Sequence, residues 1–142
     1  MSALWLVPVD GSPHALRAVE YVVREAARDA VAPVIILLNV QAPLPSDVTR
    51  FVDSTVVHDY HRDAGEVALA SARAKLEAAG LSCSAHIVVG ETAQTIVDFA
   101  SRQHCTQIVM GARGLGSVAG VLLGSVTNRV VHLTDLPVLV VK

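Results

Sequence analysis

Four residues near the end of the chain, Gly111, Gly114, Gly124 and Ser125, have the types and the spacing to hold a phosphate. They follow residues 107–110, a short apolar run that reads as a buried strand, and lead into residues 125–133, which read as a helix. A strand, a glycine-rich loop and a helix start make an anion cradle. Glycine lets the backbone approach a ligand closely and takes φ > 0 at little cost. The helix start adds unpaired N–H groups and the positive end of its dipole. Ser125 and Thr127 add hydroxyl donors. A merely flexible loop is the plainer reading, but Gly111, Gly114, Gly116 and Gly120 fall within ten residues, and that concentration before a helix start favours phosphate.

Two better-known phosphate patterns do not fit. Gly114-Leu115-Gly116 with Gly120 hints at a dinucleotide fingerprint, which wants an acidic residue about 20 residues on, at the end of the next strand. Asp135 has that spacing but precedes its strand. No Gly-Lys-Ser/Thr is present, so the loop is not of the Walker A type. Without a loop lysine, the charge of a triphosphate falls to N–H groups, a metal, Arg113 or Arg129; Arg113 reads equally well as a solvated tip residue.

The elements that must hold this loop can be read in turn. Residues 4–9 form an apolar strand, and Asp10-Gly11 a turn. Ser12-Pro13 starts a helix, with serine as N-cap and proline at the first helical position. Ala15, Ala18, Val19, Val22, Val23 and Ala26 then recur at helical spacing. Residues 34–40 are apolar without alternation, as in a strand covered on both faces. Pro43 and Pro45 mark a loop to Ser46. The next helix is expected to begin within 47–57 and to reach Ala79, with an apolar face of Val56, Tyr60, Val67, Ala68, Ala72 and Leu76, an interruption at Gly65, and Gly80 as the C′ residue. A strand at 82–89 ends at Gly90, and Thr92 is expected to cap a helix reaching His104, with Ile96, Val97, Phe99 and Ala100 inward. The last strand is 138–141, after the Asp135-Leu136-Pro137 turn. Strands alternate with helices without repeat or linker, which predicts a single α/β domain over 1–142: an open five-stranded parallel sheet with helices on both faces, Rossmann-like. Ligands bind such sheets past the strand C-termini, where strand order reverses. Asp10, Val40, Gly90 and Gly111 all lie just past strand ends and are expected to share that rim.

Composition narrows the function classes. An apolar fraction of 52% in 142 residues supports a packed core and excludes a disordered chain. A net charge of −2 and no basic run make no electrostatic case for nucleic acid. The longest apolar runs are a few residues, too short for a membrane span, and the first residues lack a basic n-region, so the expected location is cytoplasmic. Cys83 and Cys105 fit no CxxC pattern and are expected to be reduced and structural.

The pattern Gly111-x2-Gly114-x9-Gly124-Ser125, followed by a helix and Pro137-Val138-Leu139-Val140-Val141, resembles the nucleotide-binding signature of the universal stress protein family. Val7-Pro8-Val9-Asp10-Gly11-Ser12 resembles that family's opening, and Asn39-Val40 the end of its second strand. The resemblance covers the whole chain. It implies strand order 3-2-1-4-5, with Asp10 facing Gly111 at the crossover. It also implies ATP, bound through Pro8, Asp10, Val40, Gly111, Arg113, Gly114, Gly124, Ser125, Val126 and Thr127. Adenine would lie near Val40, ribose near Asp10 and Gly111, and phosphates over Gly114, Gly124 and Ser125. Mg²⁺ is expected with a triphosphate, because hard cations favour phosphate oxygens. The family dimerises through its last strand, here Val138, Leu139, Val140 and Val141; a two-fold pairing would cover an exposed apolar edge.

Each remaining candidate has a plainer reading. Asp10 can close an Asx-type turn, though its place on the rim favours ligand contact. Val40 alone reads as a core residue. His58 and His61 are three apart on a helix, but two ligands do not make a metal site, so a solvated face is expected. His14 lies one turn into its helix, where surface packing is expected. Cys105 lacks a base and orienter. The reading that results is a homodimeric, ATP-binding regulatory switch whose loop 111–124 is ordered by nucleotide and read by a protein partner. Open alternatives are a slow ATPase or phosphotransferase, for which no general base stands out, and a dimerisation module binding AMP, a cyclic nucleotide or nothing. The intact glycine signature speaks against an empty pocket.

Overall fold

The computed structural model describes residues 3–115 and 120–142. Gly116, counted above in the glycine cluster, lies outside the described residues. Five parallel strands, β1 (Leu4–Pro8), β2 (Val34–Gln41), β3 (Cys83–Val89), β4 (Gln107–Gly111) and β5 (Val138–Val141), lie in the order β3-β2-β1-β4-β5. This is the expected Rossmann-like order, and its crossover falls at β1 and β4, paired through Trp5↔Gln107 and Leu6↔Ile108.

The unbroken apolar runs resolve into two cores by the two-residue period of a strand. Val7, Ile35, Leu37 and Val109 point to one face, where α1 (Pro13–Ala26) and α3 (Ser54–Ala78) add Ala18, Val19, Val22, Leu69 and Leu76. Leu6, Ile36, Leu38, Ile108 and Met110 point to the other, beneath α4 (Thr92–Arg102) and α5 (Ser125–Leu133), which add Ile96, Phe99, Ala100 and Val130. A strand that buries both faces is apolar on both, which is why alternation is missing from β2; its one buried polar residue, Asn39, donates to the Val9 carbonyl at 2.8 Å.

The helix starts follow local chemistry. The Ser12 hydroxyl accepts from the Ala15 N–H at 3.2 Å, and Pro13 opens α1. At the end of α3, Gly80 takes φ +71°, and the Gly80 and Leu81 N–H groups donate to the Glu77 and Leu76 carbonyls, a Schellman close. At α4, Glu91 and not Thr92 is the cap: its carboxylate accepts from the Gln94 N–H at 2.8 Å, leaving Thr92 in the first turn.

The second helical region departs from the sequence reading. Residues 46–57 hold a separate single turn, α2 (Ser46–Thr49), and α3 begins after an Asp53 cap that accepts from Thr55 N–H. Ala72 and Leu76 are buried as expected, but Val56, Tyr60 and Val67 are 56%, 53% and 80% exposed. The inner row is His61, Gly65, Leu69, Ala72 and Leu76. Gly65 does not interrupt the helix; it seats it. A Cβ there would come within 2.6 Å of the Ile87 side chain on β3, so the row through Gly65 must face the sheet. Among alanine- and valine-rich stripes of similar hydropathy, this close approach decides the rotation.

Candidate functional site

At the carboxyl rim, the ends of β1, β2 and β4 and the starts of α4 and α5 enclose a solvent-open cleft of about 740 Å³. All ten residues singled out from the sequence line it: Pro8, Asp10, Val40, Gly111, Arg113, Gly114, Gly124, Ser125, Val126 and Thr127. Leu38, Thr92, Ile96, Met110 and Leu115 also line it and were not anticipated. Strand parity holds the missed signal. Pro8, Leu38, Val40 and Met110 share the sheet face of Leu6 and Ile108, and Thr92 and Ile96 are one turn apart on α4. The cleft is the open end of the second core, so its floor is apolar.

Asp10 makes the Asx-type turn and a second bond within the chain. Oδ1 accepts from the Ser12 N–H at 2.9 Å, closing the turn at Gly11 (φ +86°), and Oδ2 accepts from the Leu115 N–H at 3.0 Å, tying the first loop to the glycine loop.

The glycines act through close approach. Gly111, Gly114 and Gly124 are absent from the positive-φ residues, which include Gly11, Gly80 and Gly120. A Cβ on Gly111 would lie 2.7 Å from the His14 carbonyl carbon and oxygen; one on Gly114 would strike the Asp10 carboxylate; one on Gly124 would lie 3.3 Å from Arg113 Cα. Gly111 is therefore required by packing against backbone, whereas at Gly114 the clash falls on the end of the Asp10 side chain and at Gly124 the approach is marginal.

The helix start is an open donor set. Gly124 is the N-cap of α5 and brings no capping side chain. Ser125 is exposed at the first helical position. Thr127 is buried, and its hydroxyl donates to the Gly111 carbonyl at 2.9 Å, pinning α5 to β4. The hydroxyl proton available to a ligand there is that of Ser125.

The charged groups are few. Asp10 and Arg113 are the ionisable side chains of the described lining. Arg129, the other cation considered from the sequence, pairs with Glu91 at the surface, Nη1 to Oε1 at 2.6 Å. His14 sits just outside. Partial desolvation and the Arg17 and Arg113 cations hold its imidazole below the ordinary 6.5, with Asp10 acting in the opposite sense. Replacing Arg113 by glutamine is therefore expected to raise the His14 pKa, and an anion bound at the cleft to raise it further. An NMR titration of the imidazole carbons reads both; an unchanged pKa in Arg113→Gln would remove the guanidinium from the rim.

Other candidates separate. His58 is exposed, but His61 is buried and its Nδ1 has no partner, so the pair does not share the solvated face expected of it. Among the described residues no three His, Cys, Asp or Glu side chains gather into a metal site. Both cysteines are free, and burial pushes both thiols above their ordinary pKa, the opposite of what a nucleophile needs. No described helix is long and apolar enough to cross a membrane.

A parallel sheet of this order, with a glycine loop and an uncapped helix start at its crossover, is a nucleotide-type α/β architecture. The universal stress protein family model matches residues 5–142, and the chain belongs to that family. It is 31% identical over 140 residues to universal stress protein MJ0531 of Methanocaldococcus jannaschii, covering 96% of this chain and 80% of that protein. The solved structure of MJ0577 from the same organism is 30% identical, with a TM-score of 0.85 over 100% of this chain and 96% of the other. A universal stress protein solved in complex with cAMP is 28% identical, with a TM-score of 0.72 and coverage of 99% and 97%.

Proposed function

We propose that this protein is an adenine-nucleotide-binding regulator of the stress response. The observation that carries the reading is the uncapped start of α5, with the exposed Ser125, facing a cleft whose floor is apolar. Adenine would lie on Leu38, Val40 and Ile96, and phosphate would take the N–H groups at Ser125 and Val126 and the Ser125 hydroxyl. ATP with Mg²⁺ is the proposed form. The Asp10 carboxylate already accepts two N–H bonds, so the ion would be held chiefly by phosphate oxygens and water, supplying charge neutralisation. The same carboxylate is a poor general base, and Arg113 is the other ionisable lining group, so the cleft is suited to binding and release, not turnover. The cAMP complex of the 28% identical relative supports a second reading, a cyclic or monophosphate ligand.

Signalling would follow from the Asp10 link to Leu115. A ribose competing for that carboxylate would alter the 111–124 loop, and the loop or a dimer through Val138, Leu139, Val140 and Val141 would be read by a partner protein. β5 is an edge strand with all four residues half-buried, which fits a two-fold pairing.

Denaturing freshly purified protein and identifying released nucleotide by mass spectrometry, then titrating ATP, AMP and cAMP calorimetrically, tests the reading. Binding is expected, weakened about tenfold by Ser125→Ala through loss of a hydrogen bond to a charged group. No released nucleotide and no heat with any of the three would overturn it. Equal hydrogen exchange of amides 111–124 with and without ligand would overturn the switch alone.

A further inference from the structure

The cleft carries too little positive charge for a long phosphate chain. Its ionisable lining groups, Asp10 and Arg113, cancel. A terminal phosphate carries a charge of roughly −2 at neutral pH, and each additional phosphate adds about one more. Arg129 pairs with Glu91 and is outside the described lining. Apart from a bound divalent ion, the next side-chain cation lies beyond Arg113, where the last strand ends.

Arg113 is the wall between two spaces. It lines the cleft and also a second open groove of about 500 Å³, formed with Ala112, Gly120, Val121, Leu122 and Lys142. Sheet pairing places Lys142 there: Gly111 is in register with Val141, and the Ala112 N–H donates to the Val141 carbonyl at 2.8 Å, so the next residue of β5 emerges beside Arg113. Lys142 is exposed, and among the described residues neither it nor Arg113 has a carboxylate within ion-pair distance. On the far side Gly120 holds φ +87° with no atom within 4 Å of where a Cβ would be, so the glycine there answers to the backbone conformation and not to packing.

We infer that the Arg113–Lys142 groove receives the phosphates beyond the first, and that Lys142 sets how strongly the protein prefers a polyphosphate over a monophosphate. This rests on the nucleotide reading above. A lysine here acts as a point charge on a flexible stem, so its contribution scales with ligand charge and weakens with salt. It requires no particular geometry at the first phosphate, which the α5 start holds.

The test is the ratio of AMP to ATP dissociation constants, measured calorimetrically without divalent cations at low and physiological salt. Lys142→Gln is expected to weaken ATP about fivefold and to leave AMP within about twofold, the difference shrinking at higher salt. Lys142→Arg is expected to restore most of the ATP affinity, which a merely structural role would not produce. Equal weakening of both nucleotides, or no change in either, would overturn the inference while leaving nucleotide binding intact. Absence of binding by wild type would instead remove the underlying reading.

Discussion

Gly111→Ala is expected to destabilise the protein by about 3 kcal/mol, the upper part of the range for forcing a group into a filled site. The added Cβ would lie 2.7 Å from the carbonyl carbon and oxygen of His14, which are backbone atoms. Neither side can retreat. α1 is held by the Ser12 cap and by Ala15, Ala18, Val19 and Val22 in the first core. β4 is locked between β1 and β5, and the Gly111 carbonyl accepts from Thr127. Thermal unfolding should fall by about 10 °C for a chain of this size. Gly124→Ala, whose Cβ would meet Arg113 Cα at 3.3 Å, should cost under about 1 kcal/mol. Equal midpoints for Gly111→Ala and wild type would show that β4 and α1 do not approach as described.

Leu69→Ala and Val67→Ala form the second contrast. The two residues are neighbours in sequence terms on one helix, and both are apolar. Leu69 is fully buried in the first core with Val7, Leu37 and Val22, whereas Val67 is 80% exposed. Truncating Leu69 should cost about 3 kcal/mol, as a lost transfer term plus a cavity. Truncating Val67 should change stability by less than about 0.5 kcal/mol. Urea denaturation with a common m-value measures both. A larger loss for Val67 would return α3 to the rotation suggested by its sequence.

That rotation shows where periodicity runs short. On α1 the apolar residues form one stripe against charged neighbours, so the sequence names the buried face. On α3, Val56, Tyr60 and Val67 make a second stripe as apolar as the true one. The choice falls to Gly65, whose missing side chain admits Ile87. A glycine read alone is a helix weakness; only the partner strand reveals it as a contact.

The cleft divides the same way. The ten lining residues first named came as a set from the family resemblance; residue identity and spacing determined by themselves the strand–loop–helix unit at 107–133, the caps at Ser12 and Gly80 and the alternating α/β plan. These are local properties: propensity, capping chemistry and a motif that needs no distant neighbour to be recognised. Strand order came from the family resemblance and is realised in the sheet. Only the tertiary structure decided what the motif residues touch. It gave the Thr127 hydroxyl to Gly111, Arg129 to Glu91, and both Asp10 oxygens to backbone N–H groups. It also set Lys142 beside Arg113 through the pairing of β4 with β5. These partners are as many as 105 positions apart in the chain. A hydrogen bond or an ion pair depends on separation in space, and that separation exists only once the sheet has closed.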